Sequence, residues 1–172
     1  INDNGALTTL DGLSNITSVH GGLSINDNAA LTNLDGLSNI ASVEGDFSRL
    51  IIYNNAALTN VDGLASLAFA GGSVSIGYNP ALTNLDGLAN LSSVGRVLLI
   101  RDNNALPNLD GLASLARVGG LSILSNALIN LDGLAHLISI EGSLRIDSNY
   151  LLTNLDGLAN TTAVGGTLQI TN

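Results

Sequence analysis

Cysteine, methionine, tryptophan and lysine are all missing from this chain of 172 residues. Without cysteine it can build no disulfide framework, thiolate nucleophile or zinc–cysteine site. All five basic side chains are arginines (Arg49, Arg96, Arg101, Arg117 and Arg145), set against 14 acids for a net charge of −9. Such a chain lacks the clustered cations that track a phosphate backbone or hold a protein on an anionic membrane, so nucleic acid is not a partner. Charged residues of both signs make up only 11%, less than half the usual share of about 25%. No apolar run approaches the roughly 20 residues of a membrane span, so no membrane insertion is expected. The chain opens at Ile1 with no initiator Met, basic n-region or apolar h-region, which reads as a mature product or a fragment.

What is present is repetition. Leu-Asp-Gly-Leu, once with Val in first place, occurs seven times, with its acids at Asp11, Asp35, Asp62, Asp86, Asp110, Asp132 and Asp156. The spacings are 24, 27, 24, 24, 22 and 24 residues. Three extra residues lie between Val43 and Ile52, and two are missing between Val118 and Asp132. Within a unit, Leu23 and Ile25 alternate as in a strand with one buried face. Leu31, Leu34, Leu37, Ile40 and Val43 then follow at every third residue. A 3.6 period drifts out of phase with such spacing, so turns and short 3₁₀ pieces around a narrow core are expected in place of α-helix. Strands are expected near Ile25, Ile52, Ile76, Ile100, Ile123, Ile146 and Ile170. Glycine recurs two residues after the Val position, at Gly21, Gly45, Gly72, Gly120, Gly142 and Gly166, with Arg96 the exception. That series predicts a backbone angle open to glycine alone. One unit cannot bury its apolar stripe, whereas stacked units can.

The pattern L-x-I-x-x-N-x-x-L-x-x-L-x-G-L-x-x-[LI]-x-x-V-x-G resembles leucine-rich repeats, most of all those of receptor L domains and of bacterial and fungal surface proteins. The resemblance spans Ile1 to Asn172. It implies one seven-repeat domain over 1–172: a mainly β, right-handed solenoid of about seven coils of about 24 residues, with one parallel sheet along a face. Asn28, Asn79, Asn103, Asn149 and Asn172 match the family's inward asparagine column, and Asn4, Asn55 and Asn126 extend it. No helix-forming convex segment, cysteine-rich cap or polar capping repeat is visible. For function the resemblance implies binding or scaffolding, because the fold hosts many roles.

Several constellations could carry chemistry. Seven carboxylates in a row could invite a hard cation, but calcium needs six to eight oxygens. The expectation is that each Asp accepts backbone N–H bonds in its own Asp-Gly turn, with no metal. His20 and His136 occupy different repeat phases and cannot form a base–nucleophile pair. No cofactor motif occurs, so the chain reads as non-enzymatic. Thr8, Thr32, Thr59, Thr83 and Thr153 share one phase, interrupted by Pro107 and Ile129; ice binding is a minor alternative to turn chemistry. Three N-x-[ST] sequons, at Asn15, Asn90 and Asn160, lie in one line and are candidate glycan acceptors.

The outward strand positions vary from repeat to repeat. One column reads Ser24, Ile51, Ser75, Leu99, Ser122, Arg145, Gln169, and the next Asn26, Tyr53, Gly77, Arg101, Leu124, Asp147, Thr171. The candidate contact face is Ile51, Tyr53, Val97, Leu99, Arg101, Leu124 and Arg145, with an apolar patch in mid-face. Both ends fall in the same phase and leave Leu7, Leu10, Leu168 and Ile170 open. The leading expectation is therefore an extracellular or cell-surface structural protein whose partner is itself, in a fibre or surface array. The alternative is an adhesin-like or receptor-like module that recognises a protein or glycan on the variable face.

Overall fold

The computed structural model describes residues 1–45 and 49–171. In chain order its strands are β1 (Leu23–Asn26), β2 (Ser42–Val43), β3 (Arg49–Tyr53), β4 (Phe69–Ala70), β5 (Ser73–Gly77), β6 (Ser93–Arg101), β7 (Arg117–Leu124), β8 (Ser139–Ile140), β9 (Leu144–Asp147), β10 (Ala163–Val164) and β11 (Leu168–Thr171). Each of the seven isoleucines expected to centre a strand lies in one. Every Leu-Asp-Gly-Leu tetrapeptide ends in a three-residue 3₁₀ turn, from Asp11–Leu13 to Asp156–Leu158. Among the described residues there is no α-helix.

All strand pairings are parallel, and each strand meets its counterpart one repeat away. Where a single ladder was expected there are two. The long one joins β1, β3, β5, β6, β7, β9 and β11. The other runs through the short strands β2, β4, β8 and β10 and merges with the first because β6 and β7 continue through the corner. That corner is one residue shorter in β7 than in β6, which leaves a bulge between Val94 and Val97.

The core is a stack of Leu, Ile and Val from every repeat, most of them fully buried. Each fully buried side chain of this size contributes about 1.5–3 kcal/mol. At the chain ends Leu168 and Ile170 are exposed, but Leu10, expected to be open, is buried.

Three features lock neighbouring repeats in register. First, Asn28, Asn55, Asn79, Asn103, Asn126 and Asn149 are buried. The Nδ2 of Asn103 donates to the Ile76 carbonyl at 3.2 Å, and its Oδ1 accepts from the Asn79 N–H at 3.2 Å. The other members bond in the same manner, so no amide enters the core unpaired. Asn4 joins only through its backbone N–H, its side chain being exposed; Asn172 lies outside the described residues. Second, the Asp-Gly glycines sit against the repeat before. A Cβ on Gly87 would overlap the Val61 carbonyl oxygen, whereas one on Gly12, in the first repeat, would meet nothing within 4 Å. Third, the threonine row is a strut: Thr83 Oγ1 donates to the Thr59 carbonyl at 3.1 Å, and Thr59 Oγ1 to that of Thr32 at 3.2 Å.

Two local expectations are corrected. The recurrent glycine after Val is not the left-handed position, since of that series only Gly45 has positive φ. Gly142 and Gly166 are instead crowded by the backbone of the repeat before. The left-handed corner lies at the far end of the strand, at Asp3, Asp27, Asn54, Tyr78, Asp102, Ser125 and Ser148, with φ between 52° and 59°. Each of these residues still donates its N–H to the next strand, as Tyr78 does to the Arg101 carbonyl. The corner therefore turns the chain without losing the ladder. Nor do the Asp carboxylates of the 3₁₀ turns accept local amides. The Asn two residues earlier does this, with Asn84 Oδ1 accepting the Asp86 N–H at 3.1 Å. The Asp side chains are left exposed.

Candidate functional site

Parallel pairing in register converts the alternation of each strand into columns. Ser24, Ile51, Ser75, Leu99, Ser122, Arg145 and Gln169 are successive partners, as are Asn26, Tyr53, Gly77, Arg101, Leu124, Asp147 and Thr171. Val97 belongs to a third column beside Gly120, and its N–H donates to Ser73 Oγ at 3.4 Å. Ile51, Tyr53, Leu99, Arg101 and Leu124 are half-buried, while Val97 and Arg145 are exposed. Ile51 and Leu99 are separated by Ser75, and Leu99 is followed by Ser122. The apolar side chains are thus set singly among small polar ones.

One cluster stands out in mid-face, around Gly77. This glycine is buried, although it occupies an outward column. A Cβ there would lie 2.9 Å from Tyr53 Cζ and 2.9 Å from Arg101 Cγ. The two flanking side chains therefore lean in from either side and close over it. Tyr78, the next residue, is at the left-handed corner with φ 54°. The other six corners carry Asp, Asn or Ser, which tolerate that conformation, whereas a bulky aromatic there is an outlier. Its ring meets Tyr53 edge-to-face, with centroids 5.6 Å apart. The Arg101 guanidinium carbon stands 4.8 Å from the Tyr78 centroid. Arg101 Nε in turn donates to Asp102 Oδ2 at 2.7 Å.

This packing perturbs two of the groups. Burial pushes the Tyr53 phenol above its usual pKa, against a lowering pull from Arg101. The bond to Asp102 raises the Arg101 guanidinium. Two neighbouring residues depart from the pattern of the other repeats: a buried glycine ends the strand in an outward column, and an aromatic occupies the left-handed corner. Sequence reasoning found Tyr53 and Arg101 but missed Tyr78. Its signal was present, as the one aromatic in a corner phase otherwise filled by small polar residues.

Farther along the face, Arg145 Nη2 donates to Asp147 Oδ2 at 2.7 Å. Asp147 also accepts from Thr171 Oγ1 at 2.8 Å and from Ser148 Oγ at 3.1 Å. These bonds, that from Thr171 first, hold its carboxyl below the usual range.

The sequon row runs elsewhere, and there too the structure shows struts. Asn90 Nδ2 donates to the Ala65 carbonyl and Asn160 Nδ2 to that of Ala135, both at 2.8 Å. Asn39 and Ser66, in the same phase without a sequon, make equivalent bonds. Asn15, in the first repeat, is exposed. Among the described residues no group of His, Asp or Glu has the arrangement of a metal site. No helix there is long and apolar enough to cross a membrane.

Residues 1–106, well over half of the chain, match the receptor L domain family. The matched segment contains Tyr53, Gly77, Tyr78, Arg101 and Asp102. No curated protein and no solved structure matches the chain.

Proposed function

The chain belongs to the receptor L domain family, and from that premise we propose that it is a non-enzymatic recognition module that binds a protein ligand outside the cell. Its scaffold is then a right-handed solenoid of seven coils, and its contact face the outward strand columns. One observation carries the reading: the register lines up positions that are uniform inward and varied outward, with seven different residues in the column from Asn26 to Thr171 and serine recurring only in the other. A surface that had to stack on identical copies would gain from uniform columns. A surface specialised for one foreign partner gains from varied ones. Residue chemistry points the same way. Tyrosine and arginine dominate the energetics of protein interfaces, and small polar neighbours such as Ser75 and Ser122 supply adaptable hydrogen bonds. Self-assembly into a fibre or array, the leading expectation from sequence, draws no support from the family. Ice binding is the weaker reading, since the hydroxyls of Thr59, Thr83 and Thr153 each spend their proton on the scaffold.

The test is a binding screen of the purified chain against arrays of secreted proteins and of glycans. Hits are measured again with Ser75→Arg on the strand face and Asp86→Asn on the turn row. Loss of protein binding with Ser75→Arg, and retention with Asp86→Asn, is the expected outcome. Hits confined to glycans, or insensitive to the face substitution, overturn the reading.

A further inference from the structure

We propose that the cluster over Gly77 is a carboxylate-binding subsite, which takes an acidic side chain of a protein ligand with its aliphatic stem on Tyr78 and its oxygens on Arg101. The inference rests on the strand face being the recognition surface and adds the chemistry of what is recognised.

The two arginines of the mid-face columns differ in what they have left to give. Arg145 spends a terminal nitrogen on Asp147. Arg101 instead uses Nε for Asp102, and neither of its terminal nitrogens donates to any group among the described residues. Those two nitrogens form the edge of a planar fork whose spacing matches a carboxylate. The fork is also held in place from both sides. Asp102 fixes Nε, Tyr78 lies under the guanidinium, and Gly77 leaves room for the stem of Arg101 to fold across the strand. An arginine free to swing would lose rotamer entropy on binding, and this one has already lost most of it.

The features that hold it come at a cost to the fold. Gly77, the last residue of β5, forgoes a side chain, and the space is taken by Tyr53 and Arg101 of the neighbouring strands. All seven corners are left-handed, but Tyr78 alone puts a bulky aromatic there, and strain of that kind clusters at ligand sites. Charge complementarity selects the occupant. All five cations of the chain lie in strands: Arg49 in β3, Arg96 and Arg101 in β6, Arg117 in β7 and Arg145 in β9. The seven turn acids lie in the other rows. Asp27, Asp102 and Asp147 also border the strand face, with Asp102 and Asp147 paired to Arg101 and Arg145, so an anionic side chain finds its cation at an arginine that keeps free nitrogens, which is Arg101.

The absence of tryptophan makes the site observable, because Tyr53, Tyr78 and Tyr150 are the only tyrosines. Tyr150 is far more exposed than the other two, at 75%, so Tyr150→Phe leaves an emission reporter confined to the cluster. The probes are a hexaglutamate peptide and hexagalacturonate, equal in carboxylate number, titrated at about 0.15 M salt, where the Debye length is about 8 Å. Hexaglutamate is expected to change tyrosine emission saturably. Its affinity is expected to fall about tenfold in Arg101→Gln, fall in Arg101→Lys, which keeps the charge and loses the fork, and stay unchanged in Arg145→Gln. No saturable change, equal affinity in Arg101→Gln, or a response to hexagalacturonate as strong as to the peptide would each overturn the proposal. If the probe gives no response while array hits remain sensitive to Ser75→Arg, this inference fails alone. If the array also gives no protein hits, or hits insensitive to Ser75→Arg, the recognition reading falls with it.

Discussion

The buried asparagine column and the outward column two residues before it belong to the same repeats, yet they obey opposite rules. The inner column carries one residue type in six successive repeats, Asn28 to Asn149, each fully paired. The outer one changes from Asn26 to Tyr53, Gly77, Arg101, Leu124, Asp147 and Thr171. An amide in the core has no water to fall back on, so only a side chain with both a donor and an acceptor at the right reach will serve. On the face most side chains reach water, Asn26 Oδ1 being enclosed without a partner, and the position is free to take another task. Uniformity marks what the fold requires, and the breaks in local rules at Gly77 and Tyr78 fall on the side where the fold requires little.

Substitutions can break that contrast, and the largest effect belongs to the scaffold. Gly87→Ala forces a methyl into the Val61 carbonyl and is expected to cost more than about 4 kcal/mol or to abolish folding. Gly12→Ala, with open space around it, is expected to stay within about 0.5 kcal/mol. Urea unfolding of the two variants checks the pair; equal losses would show that the stacking contact is not what fixes this glycine. Next comes Asn103→Ala, which strands the Asn79 N–H and the Ile76 carbonyl and should cost about 2–4 kcal/mol. Leu99→Ser, on the face, should cost under about 1 kcal/mol by the same measurement.

Smaller still is Tyr78→Asn. It relieves the left-handed strain, of order 1–3 kcal/mol, while giving up the edge contact with Tyr53 and the arginine stacking, each about 0.5–1.5 kcal/mol. Stability is expected to stay within about 1 kcal/mol of the parent in thermal unfolding, with binding of hexaglutamate weakened. The smallest effect is electrostatic. The Asp62 carboxyl is raised above its usual pKa, by burial first and then by its neighbours Asp86 and Asp35. Its protonated form is thus favoured by the folded state. The stability it lends is present at low pH and lost as pH rises through the folded value. Asp62→Asn should therefore raise the Tm slightly at pH 7, with a gain that shrinks on acidification toward 3.8, the ordinary value. Asp147, held below that value, has the opposite sign. Its contribution is present above the ordinary value and disappears as pH falls through the folded one.

The parts of this molecule that were legible in its sequence are those where chemistry and period coincide. Alternation at Leu23 and Ile25 placed the strand, and register did the rest, so both face columns could be written down before any coordinates. Asn55 and Asn126 could be assigned to the buried column from phase alone. What was misread lay where two residue types can answer one need. The Asp-Gly pair looked like a self-contained turn, but the acceptor is Asn84 rather than Asp86, and the Asn two residues ahead of every Asp but Asp11, which follows Thr9, was the overlooked sign. Glycine was given the left-handed corner because it adopts that angle most easily. Here the angle is carried by Asp27, Asn54, Asp102 and Ser125, whose short polar side chains also tolerate it. Misplacing the corner hid Tyr78, which becomes conspicuous only once its six counterparts are known to be left-handed positions held by small polar residues.

The asparagine column has a directional property. Each backbone N–H points to the Oδ1 of the next repeat, from Asn4 to Asn28 and onward to Asn149, and the sense never reverses. Each amide returns a hydrogen from Nδ2 to the strand behind it, so every link is polarised as acceptor and as donor at once. Hydrogen bonds coupled head to tail in a low-dielectric interior strengthen one another. The column therefore acts as one dipolar wire along the stack, and a cut in its middle should be felt at both ends. Replacing Asn79 should move the amide proton resonance of Asn126, two repeats away, upfield, while replacing a Leu of the same repeat should not.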